Sequence, residues 1–587
     1  MKSFLKYTLA SMLGGFLLIG LMIGIIAALA SPSDEKVELE EGSIFKLTLD
    51  GPIADRSVDN PLENFNFMTG ESTAPQGLYD ILRAIKVAGE REEVEGLVLE
   101  FGFMQAGMAT RREIRNALLD FKSTGKYIYA YAQNYTQGNY YVASVADSIF
   151  IHPLGIVEWK GLSSQVGFVV DLLDKLGVEP QVFRYGKFKG AVEPFLRRDL
   201  SDENREQMMT YMGSIWGTMV NEVSESRGYS SDQLNNWADE LAMIKRDVAL
   251  QTGFVDVGMY EDEWRAFMLE KAGEEEWDDM AWVDLDEMIE VVEDDESIST
   301  DKIAVIFAQG EIVDAAGGSG GGIVGEVYAK AVRKARLDDK VKAIVLRVNS
   351  PGGSGFASDL IARELNLAAA AKPLVISQGD LAASGGYYLS FPGDTVLCDP
   401  TTITGSIGVF GLLFNPNALL TEKLGLHFDG VSTNAHSDFP DATRGMNAFE
   451  GAIIQEQVND FYEDFVNKVA EGRSMSFAEV DAIAQGRVWA GANAIEIGLT
   501  DGFGGLMDAI AIAADRAGLE EYRITELPRQ KNPIEEIIGE LTGEDMQPDE
   551  AFLRSWGMDV NSYREMKAIL QHPSRIQARL PYILEIQ

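Results

Sequence analysis

Ser384 is the one residue in this chain whose setting suggests a nucleophile. It lies in "QGDLAASGGYYLS" (Gln378 to Ser390), between a run of small residues and an aromatic stretch that reads as helical. A serine hydroxyl is a weak nucleophile at neutral pH and needs a base beside it. The chain has four histidines in 587 residues, and none is near Ser384 in sequence. A second candidate piece of machinery is "VNSPGGS" (Val348 to Ser354), which follows the apolar run "AIVLRV". A Pro-Gly-Gly turn presents backbone N–H groups at close range, and such donors can hold an oxyanion. The alternative for Ser384 is a helix cap, a common use of serine.

Internal repetition organises these pieces. "EVEGLVLEFGF" (Glu93 to Phe103) parallels "KVKAIVLRVNS" (Lys340 to Ser350), and "GKYIYAYAQNYTQGNYYVAS" parallels "AKPLVISQGDLAASGGYYLS". Leu99 to Leu346 and Gly138 to Gly385 are each 247 positions apart, and Lys175 to Lys423 is 248. One offset at three anchors marks a duplication. Each copy alternates short β-branched runs with longer 3.6-periodic segments, which predicts an α/β fold with buried strands.

The copies differ where chemistry would occur. The first has Gln137 in place of Ser384, and "FGFMQAG" (Phe101 to Gly107) in place of the Pro-Gly-Gly turn. It carries instead "FRYGKFKGAVEPF" (Phe183 to Phe195), with Lys187 and Lys189, which falls opposite Ala435 and Ser437 of the second copy. A Ser–Lys pair spanning the two copies would account for both losses. A lysine serves as a base only when desolvation lowers its pKa, and the phenylalanines around Lys189 suit that need. A solvated surface lysine is the alternative.

With "VNSPGGS", "LAASGGYYLS", "TITGSIGV" and "KFKGAVEPF" together, the sequence resembles the signal peptide peptidases of peptidase family S49, in their long, internally duplicated bacterial form. The resemblance implies two tandem domains of the Clp protease/crotonase type and a Ser–Lys dyad. It places the nucleophile on Ser384, the general base on Lys189, and a serine that positions the lysine on Ser406. It puts the oxyanion donors at the backbone N–H groups near Gly353 and Gly385. It implies peptide substrates, namely spent signal peptides and other unfolded or apolar chains, a ring-shaped homotetramer and no cofactor.

Composition bounds the rest. A net charge of −42 excludes nucleic acid as a partner. Between Lys6 and Asp34 the chain carries no charge, a run long enough to cross a bilayer. Lysines before it and acids after it predict a single-pass anchor over residues 1–30, with a cytoplasmic N-terminus and the bulk outside, and the resemblance implies that the membrane is the bacterial inner membrane. Ala28-Leu29-Ala30 would suit a cleaved signal instead. The expected layout is then a linker (31–43), the lysine-bearing repeat (44–286), an acidic linker (287–301), the serine-bearing repeat (302–520) and a tail (521–587).

Other signals are weaker. Gly320, Gly322 and Gly325 fit G-x-G-x-x-G, but the following strand ends at Asn349 rather than at an acid. His436, His427, His152 and His572 make no triad with Ser384, and metal spacing such as H-E-x-x-H is absent. Cys398 is single and reads as a buried apolar residue. An acyl-CoA enzyme or a non-catalytic membrane scaffold would be the rival functions.

Overall fold

The computed structural model describes residues 14, 37–58, 65–66, 71–72, 74–294, 298–314, 322–530 and 577–579. The first repeat opens with β1 (Ser43–Ala54), α1 (Leu78–Glu90), β2 (Val94–Gln105), α2 (Met108–Ser123), β3 (Tyr127–Ala132), α3 (Gln137–Ala143) and β4 (Ser148–Ile151). It continues with β5 (Glu179–Arg184), α4 (Asp202–Arg227), β6 (Val257–Gly258) and β7 (Trp282–Val283). Its parallel sheet runs in the order β7-β1-β2-β3-β4-β6. Strands such as β2 are buried on both faces, which is why they read as continuous apolar runs. Helix α1 turns Leu78, Ile81, Leu82 and Ile85 inward at helical spacing.

α5 (Leu285–Asp294) follows β7, where an acidic linker was expected from 287. Glu287, Glu290 and Glu293 stay in solvent while Met288 and Val291 join the first core, so the charge run is one face of an amphipathic helix.

The second repeat contains β8 (Lys302–Gln309), α6 (Gly325–Leu337), β9 (Val341–Ser350), β10 (Gly352–Ser354), α7 (Gly355–Ala369), β11 (Leu374–Ala383), α8 (Gly385–Tyr388) and β12 (Thr395–Cys398). It goes on through β13 (Ile403–Gly405), β14 (Phe410–Asn415), α9 (Ala448–Arg473), β15 (Val488–Ala490), β16 (Gly502–Phe503), α10 (Leu506–Ala517) and β17 (Arg523–Leu527). Strands β17-β8-β9-β11-β12-β16 repeat the order of the first sheet, so the duplication is one of topology as well as sequence. β17 pairs in parallel with β8, so this sheet extends to Leu527, past the expected boundary at 520.

The two repeats are interlocked. β5 of the first pairs antiparallel with β14 of the second, from Arg184↔Phe410 to Glu179↔Asn415. At the seam Arg347 is fully buried and donates to Asp55 at 2.9 Å and Glu113 at 2.6 Å, both from the first repeat. A short strand near the C-terminus, β18 (Gln577–Arg579), lies between β10 and β14 in the same small sheet. The apolar run after Lys6 lies outside the described residues, and no described helix is long and apolar enough to cross a membrane.

Candidate active site

Ser384 sits at the turn between β11 and α8, with φ 57° and ψ −114°. Its own N–H donates to the Gly405 carbonyl at 2.8 Å, which pins the turn to the end of β13. Positive φ costs a non-glycine residue roughly 1–3 kcal/mol, so surrounding structure must enforce it. Among the described residues five non-glycines adopt it, and three of them, Ser384, Ser406 and Gln485, ring one point in the molecule. The strand–turn–helix setting that presents a nucleophile is therefore here without a G-x-S-x-G sequence. Only the backbone angle reveals it.

Lys189 occupies that point. The β5–β14 pairing carries the first repeat's chain onto the second, and Phe188 N–H then donates to the Gln485 carbonyl at 3.1 Å. Beyond it the Lys189 ammonium nitrogen lies 2.8 Å from Ser384 Oγ. The same nitrogen donates to Ser406 Oγ at 3.0 Å and to the Ser406 carbonyl at 3.3 Å. Lys189, Ser384 and Ser406 are all fully buried. Desolvation drives the Lys189 pKa well below its usual 10.5, which favours the neutral amine. A neutral amine has two hydrogens and one lone pair. The two oxygens of Ser406 can take both hydrogens, which leaves the lone pair for the Ser384 hydroxyl. Close passage of the lysine requires Gly486, where a Cβ would lie 2.7 Å from Lys189 Cβ.

Lys187, the other candidate base, is exposed, with its ammonium 5.1 Å from the Phe188 ring centre. The stretch opposite Lys189 in the second repeat, around Ser437, is exposed loop. One copy has turned its segment inward; the other has left it outside.

The glycine turn flanks Ser384 on another side. Gly352 and Gly353 have φ of 98° and 152°, and a Cβ at Gly353 would lie 2.1 Å from the Ile312 carbonyl oxygen. Gly385 packs against this turn: a Cβ there would be 3.1 Å from Gly352 Cα. β18 runs antiparallel along the turn, with Gly353 opposite Ala578. The first repeat has dismantled both parts. Its β2 continues as strand through Phe101 to Gln105, with a register shift against β1 between Phe101 and Met104, and Gln137 accepts from Lys160 and Gly161 N–H at 2.9 and 3.0 Å. The former serine position has become a structural plug.

The remaining candidates fall elsewhere. His436 stacks on Phe449 and meets Glu450 at 3.1 Å, His152 accepts from Leu154 N–H at 3.1 Å, and His427 is exposed. His572 and Gly320 lie outside the described residues, and Gly325 faces Ala357 where α6 meets α7. Burial pushes the Cys398 thiol up to about 12, as an inert core residue. In the sequence Ser406 stands out only through the family resemblance carried by "TITGSIGV", and the Gln485–Arg487 loop not at all. Ser406 and Gly486 are tied to each other's segments within the second repeat, and the Phe188 N–H reaches Gln485 from the first.

Comparison with known proteins gives the family. The sequence profile of Peptidase family S49 matches twice, over residues 120–273 and 366–520. "Protease 4" of Salmonella typhi is 37% identical over 478 residues, covering 79% of this chain and 76% of that protein. "Protease 4" of Haemophilus influenzae is 35% identical, covering 84% and 82% respectively. "Serine protease SPPA, chloroplastic" of Arabidopsis thaliana is 30% identical, covering 85% and 73%. With two copies of the family's domain and this extent of similarity, the chain belongs to peptidase family S49, as a serine protease of the long, duplicated type.

Proposed function

We propose that the chain is a membrane-anchored serine endopeptidase working through a Ser384–Lys189 dyad. Ser384 attacks the scissile carbonyl, and Lys189 takes its proton and returns it to the leaving amine. Ser406 orients the amine, and backbone N–H groups near Gly353 and Gly385 receive the oxyanion. The observation that carries this reading is the 2.8 Å separation of a desolvated amine and a buried serine hydroxyl. No step calls for a cofactor.

The substrates on this reading are peptides left by secretion, chiefly signal peptides, with other unfolded or apolar chains. Family membership supports that class, and the uncharged run after Lys6 would hold the enzyme at the membrane where such peptides collect. The anchor would be single-pass in the bacterial inner membrane, with two crotonase-like domains outside it. The working form would be a homotetramer.

Hydrolysis of a fluorogenic apolar peptide by the full-length protein in detergent tests the reading. Ser384→Ala and Lys189→Ala should each lower turnover by at least about 100-fold. Cleavage by both variants at the parent rate would sink it.

A further inference from the structure

The distance between base and nucleophile depends on how the first repeat's lysine segment is registered against the second. Lys189 Nζ reaches Ser384 at the end of a long, flexible side chain, so its backbone must be fixed. One side chain bonds to both partners in that registration. Gln207, on α4, is fully buried and belongs to neither the serine turn nor the lysine segment.

Its amide is used on both sides. Nε2 donates to the carbonyl of Phe188, the residue before Lys189, at 3.0 Å, and to Asn204 Oδ1 at 2.8 Å. Oε1 accepts from the Val488 N–H at 3.0 Å. Val488 opens β15, which pairs with β13 at Gly405↔Val488. Gly405 in turn holds the Ser384 N–H through its carbonyl, and the Ser406 N–H donates to Arg487, next to Val488, at 2.7 Å. The path from Gln207 therefore reaches the base's backbone in one bond and the nucleophile's turn through one paired strand.

We propose that Gln207 is a positioning residue for the Ser–Lys dyad, fixing the lysine segment of the first repeat against the serine-bearing strands of the second. Glutamine suits this place because it offers a donor and an acceptor on one uncharged head. A carboxylate would lose the donor to Phe188. An aliphatic side chain would leave a buried carbonyl and a buried N–H without this partner. Neighbouring charge is already committed: Glu193 bonds Ser201 and Asn204, and the Arg487 guanidinium lies 4.7 Å from the Phe188 ring and pairs with Glu206. This inference rests on Lys189 acting as the base.

The test is steady-state peptide hydrolysis by the full-length protein, comparing Gln207→Met with Val223→Ala, a core truncation farther along α4. Gln207→Met should lower kcat about 10- to 100-fold and leave KM within twofold, because displacement of a reacting group by an ångström has effects of that size. The acid limb of its kcat profile should move to higher pH, since a loosened segment admits water to the amine and desolvation is what depresses its pKa. Val223→Ala should lower the unfolding temperature and move neither kcat nor the limb. Should Gln207→Met not fold, Gln207→Glu keeps the shape and the acceptor, and it should give the same kcat deficit once ionised.

Wild-type kcat and an unmoved limb in a folded Gln207 variant would overturn the proposal. So would an equal kcat deficit in Val223→Ala at a matched loss of unfolding temperature. Lys189→Met assayed alongside separates the two ideas. If it stays active, the base assignment fails. If it is dead while a folded Gln207 variant is normal, only the positioning role fails.

Discussion

Lys189 and Ser384 stand 195 positions apart, in opposite repeats, yet the amine nitrogen lies 2.8 Å from the serine oxygen. Neither repeat contains both groups, so the pair exists only because β5 crosses to β14. That arrangement has costs that can be measured.

The first is stability. Folding strips water from Lys189, and that desolvation lowers its pKa well below the ordinary 10.5. The unfolded chain binds that proton up to the ordinary lysine pKa, so below it the unfolded state holds more protons than the folded one. Stability from this group therefore rises with pH between the depressed folded value and 10.5. Lys189→Met should raise the thermal midpoint at pH 7 while abolishing activity, and the gain should shrink as pH approaches 10.5. Thermal scans at several pH values check this. A lower midpoint at neutral pH would count against a desolvated, neutral amine.

The second concerns rate. Only the neutral amine can accept the Ser384 proton, so kcat/KM should climb with pH along a limb centred well below 10.5 and then level. A pH–rate profile measures it. A limb at the usual lysine value would mean that the amine is solvated in the working enzyme.

Ser406 offers two oxygens, its hydroxyl and its carbonyl, that accept from the Lys189 nitrogen. Ser406→Ala keeps the carbonyl but removes the hydroxyl, so the lone pair is less well aimed. It should lower kcat about 10- to 100-fold with KM little changed. A rise in KM at constant kcat would assign Ser406 to substrate binding instead.

The seam between repeats has its own test. Desolvation works against the Arg347 charge, but Glu113 and Asp55 outweigh it and hold its pKa above the usual arginine value. Burial raises the Glu113 pKa, with Arg347 opposing. Arg347→Met leaves two carboxyl groups buried without their cation, which should cost about 3–5 kcal/mol and lower the urea midpoint. The loss should be smaller at acidic pH, where the carboxyls can be neutral. A loss of only about 0.5 kcal/mol, as at an ordinary surface position, would show that the triad does not hold the repeats together.

Much of this was legible in the sequence because the duplication acts as an internal control. Gln137 opposite Ser384 and "FGFMQAG" opposite "VNSPGGS" mark what the first copy lost, and both sites are indeed rebuilt as ordinary structure. The fixed offset carried the sheet order with it, from β1 to β4 in one copy and from β8 to β12 in the other. What stayed hidden depends on contact across the seam. Ser406 is visible only through the family resemblance and Gln485 not at all, and their positive φ values are seen only in the folded chain. The acidic stretch from 287 is the opposite case: its charge dominates the sequence, while the inward Met288 and Val291 make it a helix packed on the first core.

The most direct test of a base donated by one repeat to a serine of the other is labelling by a fluorophosphonate, which reports serine nucleophilicity without peptide binding. Full-length protein, Lys189→Met and Ser384→Ala would be compared for labelling rate and labelled residue. The account predicts a single adduct on Ser384, absent in Ser384→Ala and formed at least about 100-fold more slowly in folded Lys189→Met. Labelling of Ser384 at the parent rate in Lys189→Met would contradict it.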